Sequence, residues 1–467
     1  MIDLDRRQFV RTLTATAAGF GGLGRAAATG LLGTPPEDAY GRLQPDPDGL
    51  LDLPEGFTYH VISRWGEEMD DGLLVPGLHD GMAAFDGGNG RVVLVRNHEI
   101  GIGVDPRLGA FGPGLERLDR IDPAMLFDAG LTGAPALGGT TTVVYDPATR
   151  KVVRHFLSIA GTGRNCAGGA TPWGSWITCE EWTQRANESC AVDHGWCFEV
   201  PASSRPHLAP PRPLRALGRF HHEAVSVSPD GRCLYLTEDR NDGVFFRFVP
   251  NEPGRLAMGG KLQALMIIDQ PSADTRNWID PATERPAMKA GDGFAVRWID
   301  LDDPESPEDD LRFRAFDAGA ARFARGEGIW TGADAVHFAC TTGGVARLGQ
   351  IFTYRPSPHE GLERESEAPA RLELFVESES GGIIENADNL TVAPSGDLYV
   401  SEDGIGSDGL VRIRPDGSVE RFAMNRVSDS EMAGVCFSPD GRTMFVNIQE
   451  QGMTLAIQGP WASPSRA

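Results

Sequence analysis

Acidic residues recur at one place in a repeated local pattern, which makes them the first candidates for chemistry. Short apolar segments end on acid at Asn97-His98-Glu99, Thr237-Glu238-Asp239, Ser401-Glu402-Asp403 and Gln449-Glu450. Other segments begin near acid, at Glu223, Asp388 and Glu431. If each pair of segments is a hairpin, the residue numbers facing each other keep a constant sum. A turn at Pro229–Arg232 then sets Glu223 against Glu238, a turn at Pro439–Arg442 sets Glu431 against Glu450, and a turn at Ser395 sets Asp388 against Glu402. Carboxylates opposite one another on a sheet repel. Several such pairs gathered at one end of a closed fold call for a neutralising partner, and hard cations that take many oxygen ligands supply it. The plainer alternative is a set of polar loop ends on a protein-binding scaffold.

One cysteine stands apart. Cys166 lies in the glycine-rich Asn165-Cys166-Ala167-Gly168-Gly169, where a thiolate could be held towards a ligand. A thiolate is a soft donor and points to a transition metal rather than a calcium-only site. Cys179, Cys233, Cys340 and Cys436 sit in apolar runs and read as buried small hydrophobes. Cys190 and Cys197 lie in a polar loop and could form a small disulfide in an oxidising compartment.

The elements that must position these groups are repeated hairpins. Val225–Ser228, Pro229-Asp230-Gly231-Arg232 and Cys233–Thr237 form one; Leu390–Ser401 and Val435–Val446 repeat it, and weaker versions run from Met82, Thr141 and Val336. Pro/Gly turns between apolar runs are hairpin signals, and irregularly spaced repeats of them suggest propeller blades. The expected fold is all-β, a six-bladed β-propeller with loop insertions; a sandwich or a β-helix ranks below it. Gly 58 and Pro 33 suit many tight turns, and 40% hydrophobic residues in 467 suffice for a large core. The formal charge of -23 excludes nucleic acid and anionic membranes as partners, and it would repel an anionic substrate unless bound cations reverse the local sign.

The first residues carry an address. Arg6-Arg7-Gln8-Phe9-Val10-Arg11, a weakly apolar stretch to Gly24 and Ala26-Ala27-Ala28 read as a Tat signal peptide, too short and polar for a membrane span. The expected organisation is a signal over 1–28, a linker or N-terminal extension over 29–56, a single propeller domain over 57–461 and a tail over 462–467. The destination is periplasmic or secreted, with the Tat translocase as a transient partner, no stable membrane insertion and a monomeric product.

Several segments together resemble the PhoX family of Tat-exported alkaline phosphatases: Arg96-Asn97-His98-Glu99, Gly161 to Gly169 with Thr171-Pro172-Trp173-Gly174-Ser175-Trp176, Cys179-Glu180-Glu181, Gly218 to Glu223, Arg325-Gly326-Glu327-Gly328 and Glu385 to Asn389. The resemblance implies a metal-dependent phosphatase acting on a small phosphorylated substrate, with two ferric irons and calcium at an axial site. On it, Cys166, Glu181 and Glu223 correspond to iron ligands, Glu327 and Asp388 to calcium ligands, and Arg325 to a phosphate-binding arginine. Glu99, Glu402 and Glu450 join the candidate ligands from the hairpin arithmetic. The family pattern also implies a late phosphate-binding lysine, whereas the last lysine here is Lys289. That departure leaves open an altered substrate, such as a diester, or loss of activity. Two other readings stand beside this one: a calcium-dependent lactonase-like hydrolase, which has no need of Cys166, and a non-catalytic metal-binding propeller.

Overall fold

The computed structural model describes residues 40–131, 133–187, 189–279 and 287–462. The Tat signal, residues 29–39 of the expected linker and 463–467 of the tail lie outside the described residues. The hairpin turns form where the sequence places them. In Pro229–Arg232, Gly231 takes φ 69°, which an L side chain adopts at a cost, and Asp230 Oδ1 accepts from Ser228 Oγ and from the Arg232 amide. Ser438, Asp440, Gly441 and Arg442 repeat the same bonds.

Six hairpins carry the site: β1 (His79–Asp86) with β2 (Val92–His98), β3 (Asn165–Ala170) with β4 (Ser175–Glu180), β5 (His222–Val227) with β6 (Leu234–Glu238), β7 (Gly326–Thr331) with β8 (Val336–Cys340), β9 (Ala387–Val392) with β10 (Leu398–Glu402), and β11 (Met432–Phe437) with β12 (Thr443–Ile448). All are antiparallel pairs. The first strands contact one another in sequence order, and β11 packs back on β1. Further strands extend each hairpin outwards, giving an all-β, propeller-like fold. Separate sheets of six, three, four and four strands surround the axis, and a nine-stranded sheet joins β5–β6 to β7–β8 through the outer strands Gly260–Ile267, Gly293–Asp300 and Ala370–Glu377. The chain closes on itself: Thr58–Arg64 pairs with Met453–Gln458 and becomes the fourth strand of the β11–β12 sheet.

The expected linker contributes to the fold. Leu51–Pro54 pairs with Val419–Asn425, and Leu43–Gln44 pairs with Leu51–Pro54, because Leu51 and Leu53 are buried there. Apolar side chains fill the spaces between sheets; Phe245, Phe338, Phe352 and Tyr354 form one such layer. The α-helix among the described residues, Leu311–Asp317, sits in an insertion.

The cysteines correct one expectation. All seven are free, so the Cys190–Cys197 disulfide is absent. Cys197 starts a strand in which it faces Cys179, with the sulfurs 3.6 Å apart, while Cys190 Sγ lies in the loop 3.1 Å from the Arg185 carbonyl. Cys179, Cys233, Cys340 and Cys436 are buried, as expected.

Candidate metal centre

Each first strand of the six hairpins carries the same irregularity at its axial end. The register shifts by one residue between His79 and Met82, Asn165 and Gly168, His222 and Val225, Gly326 and Ile329, Ala387 and Leu390, and Ala433 and Cys436. Such a bulge re-aims the side chain that follows. In the first five strands that side chain is Asp80, Cys166, Glu223, Glu327 or Asp388. The second strands end in a matching way. The residue after each one (Glu99, Glu181, Asp239, Thr341, Asp403, Gln449) donates its amide to the carbonyl of the residue preceding the first strand, over 2.9–3.3 Å in all six hairpins.

Neighbouring hairpins brace the bulges. Asn97 Nδ2 donates to the Cys166 carbonyl at 3.0 Å, Thr237 Oγ1 to that of Glu327 at 2.6 Å, and Asn447 Nδ2 to that of Asp80 at 2.6 Å. Asn97 is oriented by Trp176 Nε1 and Thr178 Oγ1. Gly81 lets β1 approach β3: a Cβ there would lie 2.4 Å from the Ala167 Cα.

The result is a ring of donors. Cys166, Glu181 and Glu223 offer ligand atoms within 4.8 Å of one another; Glu223, Glu327 and Asp388 form a second such group, sharing Glu223, and Asp80, Glu99 and Glu431 a third. Cys166, Glu181, Glu223 and Glu327 are buried. Burial, reinforced by neighbouring acids, pushes Glu223, Glu327, Asp80 and Glu431 well above the usual carboxylate range and Asp388 up to about 7. Burial and then Asp239 do the same to Glu181, and burial with Glu223 raises the Cys166 thiol. So many carboxyls forced together are stable as neutral acids or around cations. Cations fit the donor set: one thiolate with carboxylates in the first group, oxygen alone in the other two.

Two arginines border the ring. Arg325 places Nε 2.5 Å from Asp239 Oδ1 and Nη2 2.9 Å from Glu327 Oε1. Arg164 places Nη2 2.5 Å from Glu99 Oε1 and 2.8 Å from Glu181 Oε2.

The candidates Cys166, Glu181, Glu223, Glu327, Asp388 and Glu99 therefore come together, with Arg325 beside them. Glu402 and Glu450 do not. Glu402 is paired with Arg421 and accepts the Glu385 amide at 2.9 Å. Glu450 is exposed, and Gln449 takes its place, donating to Asp80 Oδ2 and Glu99 Oε2. The cause is the bulge: Glu402 faces Ala387 and Glu238 faces His222, one residue out of the expected register. Asp80 and Arg164 are the additions, and Glu431, Asp239 and Asp403, present in the acidic pattern but not among the candidate ligands, join them. A one-residue bulge applied to every hairpin lowers the facing sum by one, sets Glu238 against His222 and Glu402 against Ala387, and puts Asp239 and Asp403, one residue further on, on the face expected of Glu238 and Glu402.

Comparison with known proteins follows the same line. Residues 38–452 match the family model described as Alkaline phosphatase PhoX. No curated protein sequence matches. Among solved structures, Pseudomonas fluorescens PhoX in complex with vanadate, a transition state analogue, is similar at 19% identity and TM-score 0.64, over 88% of this chain and 96% of that one. A gluconolactonase from Xanthomonas campestris aligns at 12% identity and TM-score 0.39, over 86% of this chain and 98% of that one.

Proposed function

This chain belongs to the alkaline phosphatase PhoX family, and from that premise we propose that it hydrolyses phosphate esters at an iron and calcium centre held by its axial donor ring. As a family member it is a metal-dependent phosphoric ester hydrolase acting on small phosphorylated substrates. The observation that carries the metal assignment is the convergence of a buried thiol with buried acids that no internal cations neutralise in full. Cys166, Glu181 and Glu223 suit ferric iron, since the set includes a soft sulfur donor. Glu327 and Asp388, with Glu223, and the Asp80–Glu99–Glu431 group suit calcium, which takes oxygen alone.

Bound cations supply the positive charge and water activation that phosphoryl transfer requires. The chain's own residues hold the cluster rigid through the braced bulges and exclude bulk water from its inner side. Arg325 orients the substrate through Nη1, because Asp239 and Glu327 hold its Nε and Nη2 and so fix the direction of the charge. With no lysine beyond Lys289, that work falls on arginine.

Six first strands in mutual contact support a six-bladed count, in one propeller domain. Arg6-Arg7 supports Tat export to the periplasm or cell surface of a monomeric enzyme. Among the described residues no helix is long and apolar enough to cross a membrane. The test is metal analysis of exported protein with a phosphomonoester assay. Iron with calcium and turnover is the expected result. Calcium alone favours the lactonase-like reading, and no metal a binding propeller.

A further inference from the structure

The two arginines at the ring occupy equivalent places. Arg164 immediately precedes β3 and Arg325 immediately precedes β7; both take left-handed backbone, with φ 46° and 53°. A left-handed non-glycine residue stores strain that surrounding structure must hold. Their hydrogen bonds also correspond. In each, Nε and Nη2 bind one acid, Glu99 for Arg164 and Asp239 for Arg325. In each, Nη2 reaches a second acid, Glu181 or Glu327. In each, Nη1 makes no hydrogen bond among the described residues. The acids they hold are largely buried, but the Arg164 side chain is 42% exposed and that of Arg325 23%. Glu181, held by Arg164, and Asp239, held by Arg325, lie close enough to perturb each other electrostatically, so the two fixed cations border one rim.

We infer that Arg164 is a second anion-binding residue of this site, and that it and Arg325 present their Nη1 groups to the phosphoryl oxygens of one substrate. The inference rests on the phosphatase reading above and extends it to a residue with no assigned role. A ring this rich in carboxylates repels a phosphate dianion, so fixed positive forks on both sides of the Glu181–Asp239 contact serve binding as well as stability.

The experiment measures equilibrium binding of inorganic phosphate to the metal-loaded full chain, together with metal content and turnover of an aryl phosphate monoester. Arg164→Ala is expected to weaken phosphate binding about 10- to 100-fold, the effect of losing charge-assisted hydrogen bonds, with metal per chain unchanged. Arg164→Lys keeps the charge without the fork and is expected to recover part of it. Wild-type phosphate affinity in Arg164→Ala overturns the inference, and so does a loss that tracks missing metal and disappears when metal is restored. If the wild type binds phosphate but never hydrolyses the ester, the phosphatase reading fails while the Arg164 comparison still decides this one. If the wild type hydrolyses the ester and Arg164→Ala binds phosphate normally, only this inference fails.

Discussion

Stripping the cations should make the protein's stability fall as pH rises. The perturbation is a strong chelator, and the group that sets the size is Asp388, whose pKa is pushed from 3.8 up to about 7 by burial and by Asp403. The sign follows from proton uptake. Between those two values the folded chain keeps a proton that the unfolded chain releases, so raising the pH favours unfolding. The stabilisation is complete below about pH 4 and is lost as pH passes 7. A rise of about three units corresponds to on the order of 4 kcal/mol. Unfolding entropy for a unit of this length is roughly 0.9 kcal/mol per kelvin, so Asp388 alone lowers Tm by about 5 °C between pH 4 and 8. Glu181, Glu223, Glu327, Asp80 and Glu431 shift in the same direction and add to the fall. Thermal unfolding of the chelated and metal-loaded protein across that range is the assay. Bound cations keep the carboxylates ionised in the folded state, so the loaded protein should lose this slope. A chelated Tm that stays flat or rises with pH, or an equal slope with metal present, would refute the reasoning.

Other outcomes follow from the same geometry. Cys166→Ser should lower iron content without unfolding the chain, because a hydroxyl seldom ionises near neutrality; elemental analysis showing full iron would remove Cys166 from the site. Arg325→Ala should lower kcat/KM for a phosphomonoester at unchanged metal content, with Arg325→Lys recovering part; full activity in the alanine variant would reject a substrate role. Glu223→Gln should deplete metal, since Glu223 belongs to two donor groups, whereas Glu402→Gln should leave metal content intact, since its partner is Arg421; the reverse pattern in metal analysis would contradict the bulged register. Lysines at Arg6 and Arg7 should leave unprocessed protein in the cytoplasm, and normal appearance of mature chain outside it by immunoblot would show the signal misread.

Much of the fold was legible because hairpin turns are local events. Pro229-Asp230-Gly231-Arg232 carries its own hydrogen-bond partners and its own left-handed glycine, so its place in the chain announces it. The constant-sum rule then holds along most of each hairpin: Val225 faces Leu236, Leu390 faces Val400 and Cys436 faces Phe445, in the register the turns imply. It fails only beyond the bulges, where His222 faces Glu238 and Ala387 faces Glu402. Side chains alternate with a period of two, so a shift of one residue sends an acid to the other side. Glu402 and Glu450 were lost to the site in this way, and Asp239 and Asp403 entered it.

Sequence alone determined the residue types near the axis, the thiol at Cys166 and the hairpins that carry them, because turn chemistry and apolar runs act over a few residues. Tertiary structure decided which acids face one another. Asp80 and Glu99, which share a hairpin, meet Glu431 only because β11 packs back on β1, and Arg164 joins Glu99 to Glu181 only because neighbouring hairpins stand side by side. Closure of the ring and the bulge at each axial end are set by packing between distant segments, and no local spacing records them.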